Sequence, residues 1–115
     1  MKRFDPTPFL PLTPAMFQVL VALADGEKHG YAVIKEVARR TDGQVRLRAG
    51  TLYTVIRRFV DDGLVAESEV RPDPALDDER RRYYRLTERG RAVGVAETRR
   101  MAETLAQARA KLGTL

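Results

Sequence analysis

The sequence predicts a mainly α-helical fold with one small β-hairpin, and three patterns lead to this prediction. Three segments between residues 14 and 63 repeat apolar residues at intervals of three and four, the period of an α-helix. Two short alternating segments then flank a polar loop that contains prolines, as in a hairpin. A last helical pattern follows Thr87 and extends to about Leu112. The length of 115 residues suits a single domain, or a small domain with an appendage.

Composition limits the classes of protein to consider. The chain contains no cysteine, which excludes disulfides and thiolate metal sites. No apolar run approaches the roughly 20 residues of a membrane span, and the first residues lack the apolar segment of a signal peptide. We therefore expect a soluble, cytoplasmic protein with no membrane partner. The formal net charge of +5 favours an anionic partner such as nucleic acid.

Charge is distributed unevenly along the chain. Residues 1–60 carry ten Lys and Arg against five Asp and Glu, and residues 80–115 carry ten against three. Between them, residues 61–79 carry one Arg against eight acids. This acidic segment includes the loop of the predicted hairpin, which phosphate would repel.

Residues 1–12 contain prolines that exclude a regular helix, so they predict an extended N-terminal arm. Their aromatic and leucine residues favour packing against another surface, such as a partner subunit. A disordered leader is the alternative, and the sequence alone does not separate the two.

Two helices and a link follow the arm. Thr13 followed by Pro14 is typical of a helix start, and helix 1 is apolar on nearly all sides, which predicts a central buried position. Helix 2 is predicted from about His29 to Arg40. Residues 44–48 alternate in polarity and predict a short strand or an extended link.

The third helix carries the candidate functional face. Gly50 or Thr51 can begin it, and Gly63 suits the left-handed position just past its end. One stripe is apolar and formed by Leu52, Val55, Ile56 and Phe59. Hydroxyl groups, a phenol and two arginines lie opposite this stripe or beside it, and such groups bind phosphates and base edges.

Residues 64–70 and 80–86 predict the two strands of the hairpin. Three helices followed by a hairpin, in a unit of this size, form the arrangement of a winged helix-turn-helix. We assign it to residues 13–87. The fold class predicted from the sequence is thus a winged helix-turn-helix with a long C-terminal helix.

The last helix, within residues 88–115, carries a heptad-like seam. The seam suggests a partner helix from a second copy of the chain, which makes this segment a predicted dimerisation helix; folding back on helix 1 is the alternative. The predicted dimer interface consists of Val95, Thr98, Met101, Leu105, Ala108 and Leu112.

Several short motifs resemble the PadR family of bacterial transcriptional regulators. They occur in the order and at the spacing of that family, over about residues 13–112. Each is weak alone, but the set is fairly specific. The motifs are His29-Gly30-Tyr31, Gly50-Thr51-Leu52-Tyr53, Gly63-Leu64 and Arg82-Tyr83-Tyr84-Arg85-Leu86-Thr87 with Gly90.

The resemblance implies a homodimer that binds double-stranded DNA at a roughly palindromic operator and usually represses. Family members often lose DNA affinity when they bind a small aromatic or drug-like molecule, so such an effector is a candidate partner. In short members it can lie near the interface of the last helix and helix 1. This chain departs from the family at Thr54, Phe59 and Val60, and in an acidic hairpin tip with Asp73, Asp77, Asp78 and Glu79.

We expect helix 3 to enter the major groove. Arg57 is placed for bidentate guanine readout or for a phosphate clamp. Tyr53 either binds a phosphate or covers the edge of the core, and Tyr31 fits the core by periodicity but a DNA-backbone contact by its family position. The candidate DNA contacts are Lys28, Tyr31, Thr51, Tyr53, Thr54, Arg57, Arg58, Arg80 and Arg82.

Other functional classes are less well supported by the sequence. One histidine, no cysteine and no phosphate-binding glycine loop argue against an enzyme, and no residue pattern indicates a cofactor or metal. A winged helix that serves only protein contacts is the alternative. Salt-dependent binding to DNA distinguishes the regulator from it.

Overall fold

The computed structural model describes residues 3–68 and 82–113. Residues 69–81, which include the predicted hairpin loop and the adjoining ends of its two strands, lie outside this range. The described residues form a 3₁₀ turn (Thr7–Phe9), helices α1 (Pro14–Leu23), α2 (Gly30–Arg40), α3 (Ala49–Asp61) and α4 (Glu88–Leu112), and strands β1 (Lys28–His29), β2 (Val65–Glu67) and β3 (Tyr83–Leu86).

Helix α1 confirms the predicted start and central position. The Thr13 hydroxyl accepts a hydrogen bond from the Met16 N–H at 3.2 Å, and Pro14 occupies the first turn, where its missing N–H costs nothing. Helices α2 and α3 pack against α1 and against each other. The resulting core includes Leu20, Leu23, Leu52 and Phe59, all exposed by 2% or less.

The sheet has three strands in the order β1–β3–β2, and both pairs are antiparallel. The sequence did not predict β1, whose two residues are too few to show a period. Lys28 pairs with Tyr84, and His29 pairs with Tyr83. The His29 Nδ1 accepts a hydrogen bond from the Ala32 N–H at 3.0 Å, so His29 caps α2 rather than belonging to it.

Residues 44–48 form an extended link, not a strand, and the buried side chain of Leu47 anchors it. The predicted start of α3, at Gly50 or Thr51, was one or two residues late. The helix begins at Ala49 with Arg48 as its cap, and Arg48 makes no side-chain capping bond. The Leu52 N–H donates to the Arg48 carbonyl at 2.9 Å, so a backbone bond closes the first turn.

The N-terminal arm packs on its own chain over residues 3–12, and it is not extended throughout, because Thr7–Phe9 form a 3₁₀ turn. Phe4, Phe9 and Leu10 pack against the core, and Leu12 is buried. The Leu12 N–H donates to the Glu97 carboxylate of α4 at 2.7 Å. The arm thus joins α4 to the rest of the domain.

Helix α4 begins at a compact junction with the sheet. The Thr87 hydroxyl accepts a hydrogen bond from the Gly90 N–H at 3.1 Å and donates to the Gly63 carbonyl at 2.7 Å. The Thr87 N–H donates to the Leu64 carbonyl at 3.0 Å. Gly90 allows this approach, because a Cβ there would overlap the Leu64 carbonyl oxygen.

The two halves of α4 have different surroundings. Val93 and Glu97 in the first half are buried, and this half packs on α1. From Arg99 to Leu112 the helix is exposed apart from the half-buried Ala108. The alternative prediction, that the last helix folds back on helix 1, therefore holds only for the first half of α4. No helix in the described parts of the chain combines the length and apolarity needed to cross a bilayer.

Candidate nucleic-acid interface

Helix α3 is buried on one side and polar on the other. Leu52, Ile56 and Phe59 fix it in the core with exposures of 2% or less. The exposed side chains on the rest of the helix include Thr51, Thr54, Arg57 and Arg58. This is the face that the sequence singled out.

The polar side chains of α3 differ in how firmly they are held. The Thr54 hydroxyl donates to the Gly50 carbonyl at 2.8 Å, which leaves its lone pairs directed away from the helix axis. Arg58 forms an ion pair with Asp62 at 3.9 Å. At this length and exposure the pair contributes little, so Arg58 can exchange it for an external anion.

Tyr53 packs over the start of α2. A Cβ added to Gly30 would lie within 2.8 Å of the Tyr53 Cζ and would also overlap the hydroxyl. Two motifs that are separate in sequence, His29-Gly30-Tyr31 and the segment ending in Tyr53, thus meet in space. This contact fits the alternative in which Tyr53 covers the edge of the core; its phosphate contact stays a prediction.

Tyr31 is 53% exposed, so the prediction from periodicity that it packs in the core was wrong. Val33 and Val37 instead form the buried stripe of α2. The Tyr31 ring stacks on His29 at 6.5 Å, and the Lys35 Nζ lies 4.7 Å from the ring centroid. The exposed ammonium of Lys35 and hydroxyl of Tyr31 suit a negatively charged partner. A DNA-backbone contact by Tyr31 stays a prediction.

Lys28 is held by two acids. Its Nζ forms a hydrogen-bonded ion pair with Asp25 and a second pair with Glu36 at 3.4 Å. The hydrogen bond from Lys28 holds the pKa of the Asp25 carboxyl below its ordinary value. A phosphate would have to compete with both carboxylates, and the predicted DNA contact of Lys28 is untested.

Arg82 enters β3 beside a cleft between α3 and the sheet. Its Nε lies 3.5 Å from the Glu67 carboxylate on β2. Glu67 is not among the site residues predicted from the sequence, although opposite charges on neighbouring hairpin strands are a recognisable signal. Arg80 and the acidic tip lie outside the described residues, so their predicted roles have no structural account.

An apolar surface extends along α1 and α4. A cavity of about 370 Å³ lies between these helices, with Phe17, Leu20 and Val95 in its wall. A second cavity of about 600 Å³ continues past Thr98 to Ala108 and shares Phe17 with the first. The surface includes five residues of the dimer interface predicted from the sequence, namely Val95, Thr98, Met101, Leu105 and Ala108. Phe17 comes from helix 1, for which the sequence predicted a central buried position.

The fold and this site together define a winged helix-turn-helix protein, with an exposed polar α3 beside a small sheet. The sequence pattern of the Transcriptional regulator PadR-like family matches residues 19–94, and the chain belongs to this family. The family is one of transcriptional regulators.

One relative supports this assignment, and a solved structure shows the same fold. The transcriptional regulator Rv3488 of Mycobacterium tuberculosis is 39% identical over 90 residues, covering 77% of this chain and 76% of the relative. A PadR family regulator from Clostridium difficile R20291 has a TM-score of 0.71 at 21% identity, covering 88% of this chain and all of that one (100%).

A further structure concerns regulation by a ligand. It describes how 6-hydroxynicotinic acid regulates DNA binding by BpsR of Bordetella bronchiseptica. That chain has a TM-score of 0.61 and 35% identity, with coverage of 84% of this chain and 64% of BpsR.

Proposed function

We propose that this PadR-family regulator is a repressor that binds a palindromic operator as a homodimer and is released by a small aromatic or drug-like effector. The observation that carries the proposal is the exposed polar face of α3, opposite a fully buried stripe. A helix fixed in this way presents the same side chains in the same geometry to every DNA site.

In this proposal α3 lies in the major groove. Residues near the N-terminus of a recognition helix reach base edges, which favours Thr51 and Thr54 for base contacts. Arg58 and Tyr31 contribute positive charge and a hydroxyl at the margins of this face. These groups suit phosphate oxygens, which supply most of the affinity but little of the sequence preference.

The α4 seam supports the homodimer. Its members from Thr98 onward recur at intervals of three and four, and Met101, Leu105 and Leu112 are 44%, 51% and 86% exposed. A second copy of the same helix would cover this seam, as in a coiled coil. Two-fold symmetry would then present two α3 helices to two half-sites, which accounts for a palindromic operator.

The cavities beside Phe17 support an effector site. An apolar wall of this size suits a small aromatic molecule, and the seam borders both cavities. A ligand that binds there would change how two copies pack and hence the separation of the two α3 helices. Regulation of BpsR by 6-hydroxynicotinic acid offers a precedent among similar structures.

Footprinting on the DNA upstream of the chain's own gene tests the proposal, repeated with a panel of small aromatic molecules. The expected result is protection of two inverted half-sites about 34 Å apart, or a multiple of this spacing, that weakens steeply with added salt. Loss of protection with one panel member would identify the effector. No salt-dependent DNA binding would instead support a winged helix used only for protein contacts.

A further inference from the structure

The cleft between α3 and the sheet contains an arrangement that the function so far does not use. Its volume is about 200 Å³, and its wall includes Arg57 from α3, Glu67 from β2 and Arg82 from the entrance to β3. Ile56 and Val60 of α3, with the rings of Tyr53 and Tyr84, form the apolar part of the wall. Among the described residues of its wall, two guanidinium groups against one carboxylate give an excess of positive charge.

The two arginines come from different elements. Arg57 is an exposed side chain nine residues into α3, beyond the first turns that read bases in helix-turn-helix proteins. Arg82 is held beside it by the sheet, with 41% of its side chain exposed. A group bound between them would touch both the recognition helix and the stem of the wing.

The ion pair of Arg82 with Glu67 is weak. The charged atoms are 3.5 Å apart, and the Glu67 side chain is 36% exposed. The Arg82 Nε is shielded from solvent and donates no hydrogen bond within the described part of the chain. A pair this long and exposed is worth little, so a stronger anion can replace the carboxylate.

We propose that this cleft binds one backbone phosphate of the operator, with Arg57 and Arg82 as a two-sided clamp and Glu67 as its internal competitor. The inference rests on the proposed DNA binding and decides between the two roles open to Arg57. Arginine suits this task because its planar guanidinium binds phosphate oxygens in pairs. The clamp would fix the register of α3 without reading sequence itself.

Affinity measurements across a salt series test the clamp, with an operator duplex and a random duplex of equal length. We expect Arg57→Ala and Arg82→Ala each to weaken binding to both duplexes by about 10-fold and to lower the salt slope by about one. Glu67→Gln should tighten binding to both by about 3-fold. Arg109→Ala and Glu103→Gln, which make the same charge changes on α4, should leave both affinities within about 2-fold of the unmodified protein.

Single methylphosphonate substitutions in the operator then locate the contact. At one backbone position, the neutral phosphate should remove the effects of both Arg57→Ala and Arg82→Ala. Three results would overturn the clamp while DNA binding stands. They are a loss of affinity by Arg57→Ala and Arg82→Ala for the operator duplex alone, an unchanged salt slope in these variants, or weaker DNA binding by Glu67→Gln. If the unmodified protein binds neither duplex, the proposed function fails and the clamp fails with it.

Discussion

Glu97 offers the sharpest test of how the arm is held. Its carboxylate is 1% exposed and accepts hydrogen bonds from the Leu12 N–H at 2.7 Å and from the Arg100 guanidinium. Glu97→Ala would leave the Leu12 N–H without its acceptor, which costs about 1–3 kcal/mol. Arg100 is 45% exposed, so losing that pair adds at most about 1 kcal/mol.

We therefore expect Glu97→Ala to lower the free energy of unfolding by about 2–3 kcal/mol and the melting temperature by roughly 10 °C. Urea and thermal unfolding at pH 7 measure these changes. Glu103→Ala, an exposed glutamate on the same helix, is the matched control and should change stability by less than about 0.5 kcal/mol. Faster hydrogen exchange at the Leu12 amide would show that the loss arises at the arm.

The stability that Glu97 contributes changes with pH in a direction that its pKa shift defines. The hydrogen bonds from Arg100 and then Leu12 hold the pKa of Glu97 below its ordinary value of 4.5, against the opposing effect of burial. A lowered pKa in the folded state stabilises the protein above the unfolded value, and this contribution is lost as the pH falls through the folded value. The difference in the free energy of unfolding between the unmodified protein and Glu97→Gln should therefore narrow below about pH 4.5. Equal melting of Glu97→Ala and Glu103→Ala, or a stability difference from Glu97→Gln that widens as the pH falls below about 4.5, would refute this reasoning.

Two further changes test the junction and the seam. Gly90→Ala should destabilise the domain by about 1–3 kcal/mol in urea unfolding, because its Cβ would overlap the Leu64 carbonyl, whereas Gly94→Ala has open space and should stabilise it by about 0.5–1 kcal/mol. A stable Gly90→Ala variant would show that the close approach is unimportant. Leu105→Glu should convert the proposed dimer to a monomer in sedimentation experiments without loss of helix content, whereas Gln107→Glu, off the seam, should not. A Leu105→Glu variant that remains dimeric would place the interface elsewhere.

Most of the helical framework could be predicted because it depends on local signals. The hydroxyls of Thr13 and Thr87 mark the starts of α1 and α4, and the buried stripe of α3 has an unbroken period. The two residues of β1 have no period, so their pairing depends on contacts distant in sequence.

Parts of the site could not be predicted for the same reason. Tyr31 lies three residues before Ile34, a helical interval, but the buried stripe of α2 passes through Gly30, Val33 and Val37 and leaves Tyr31 exposed. A charged residue such as Glu97 suggests an exposed position until its partner is known, and that partner is a backbone amide 85 residues away in the chain. The cleft beside Arg57 is formed where two strands pack against a helix. The sequence pattern of each element does not indicate which other elements it packs against.

Thr87 is the last residue of the sheet connection and the cap of α4, and its bonds to Gly63 and Leu64 leave no flexible linker between the two elements. A bend at this short junction would break the hydrogen bonds of Thr87 to Gly63, Leu64 and Gly90. A change in the direction of α4 would accordingly rotate the sheet with it. Helix α4 and the strands beside α3 are therefore joined as one unit.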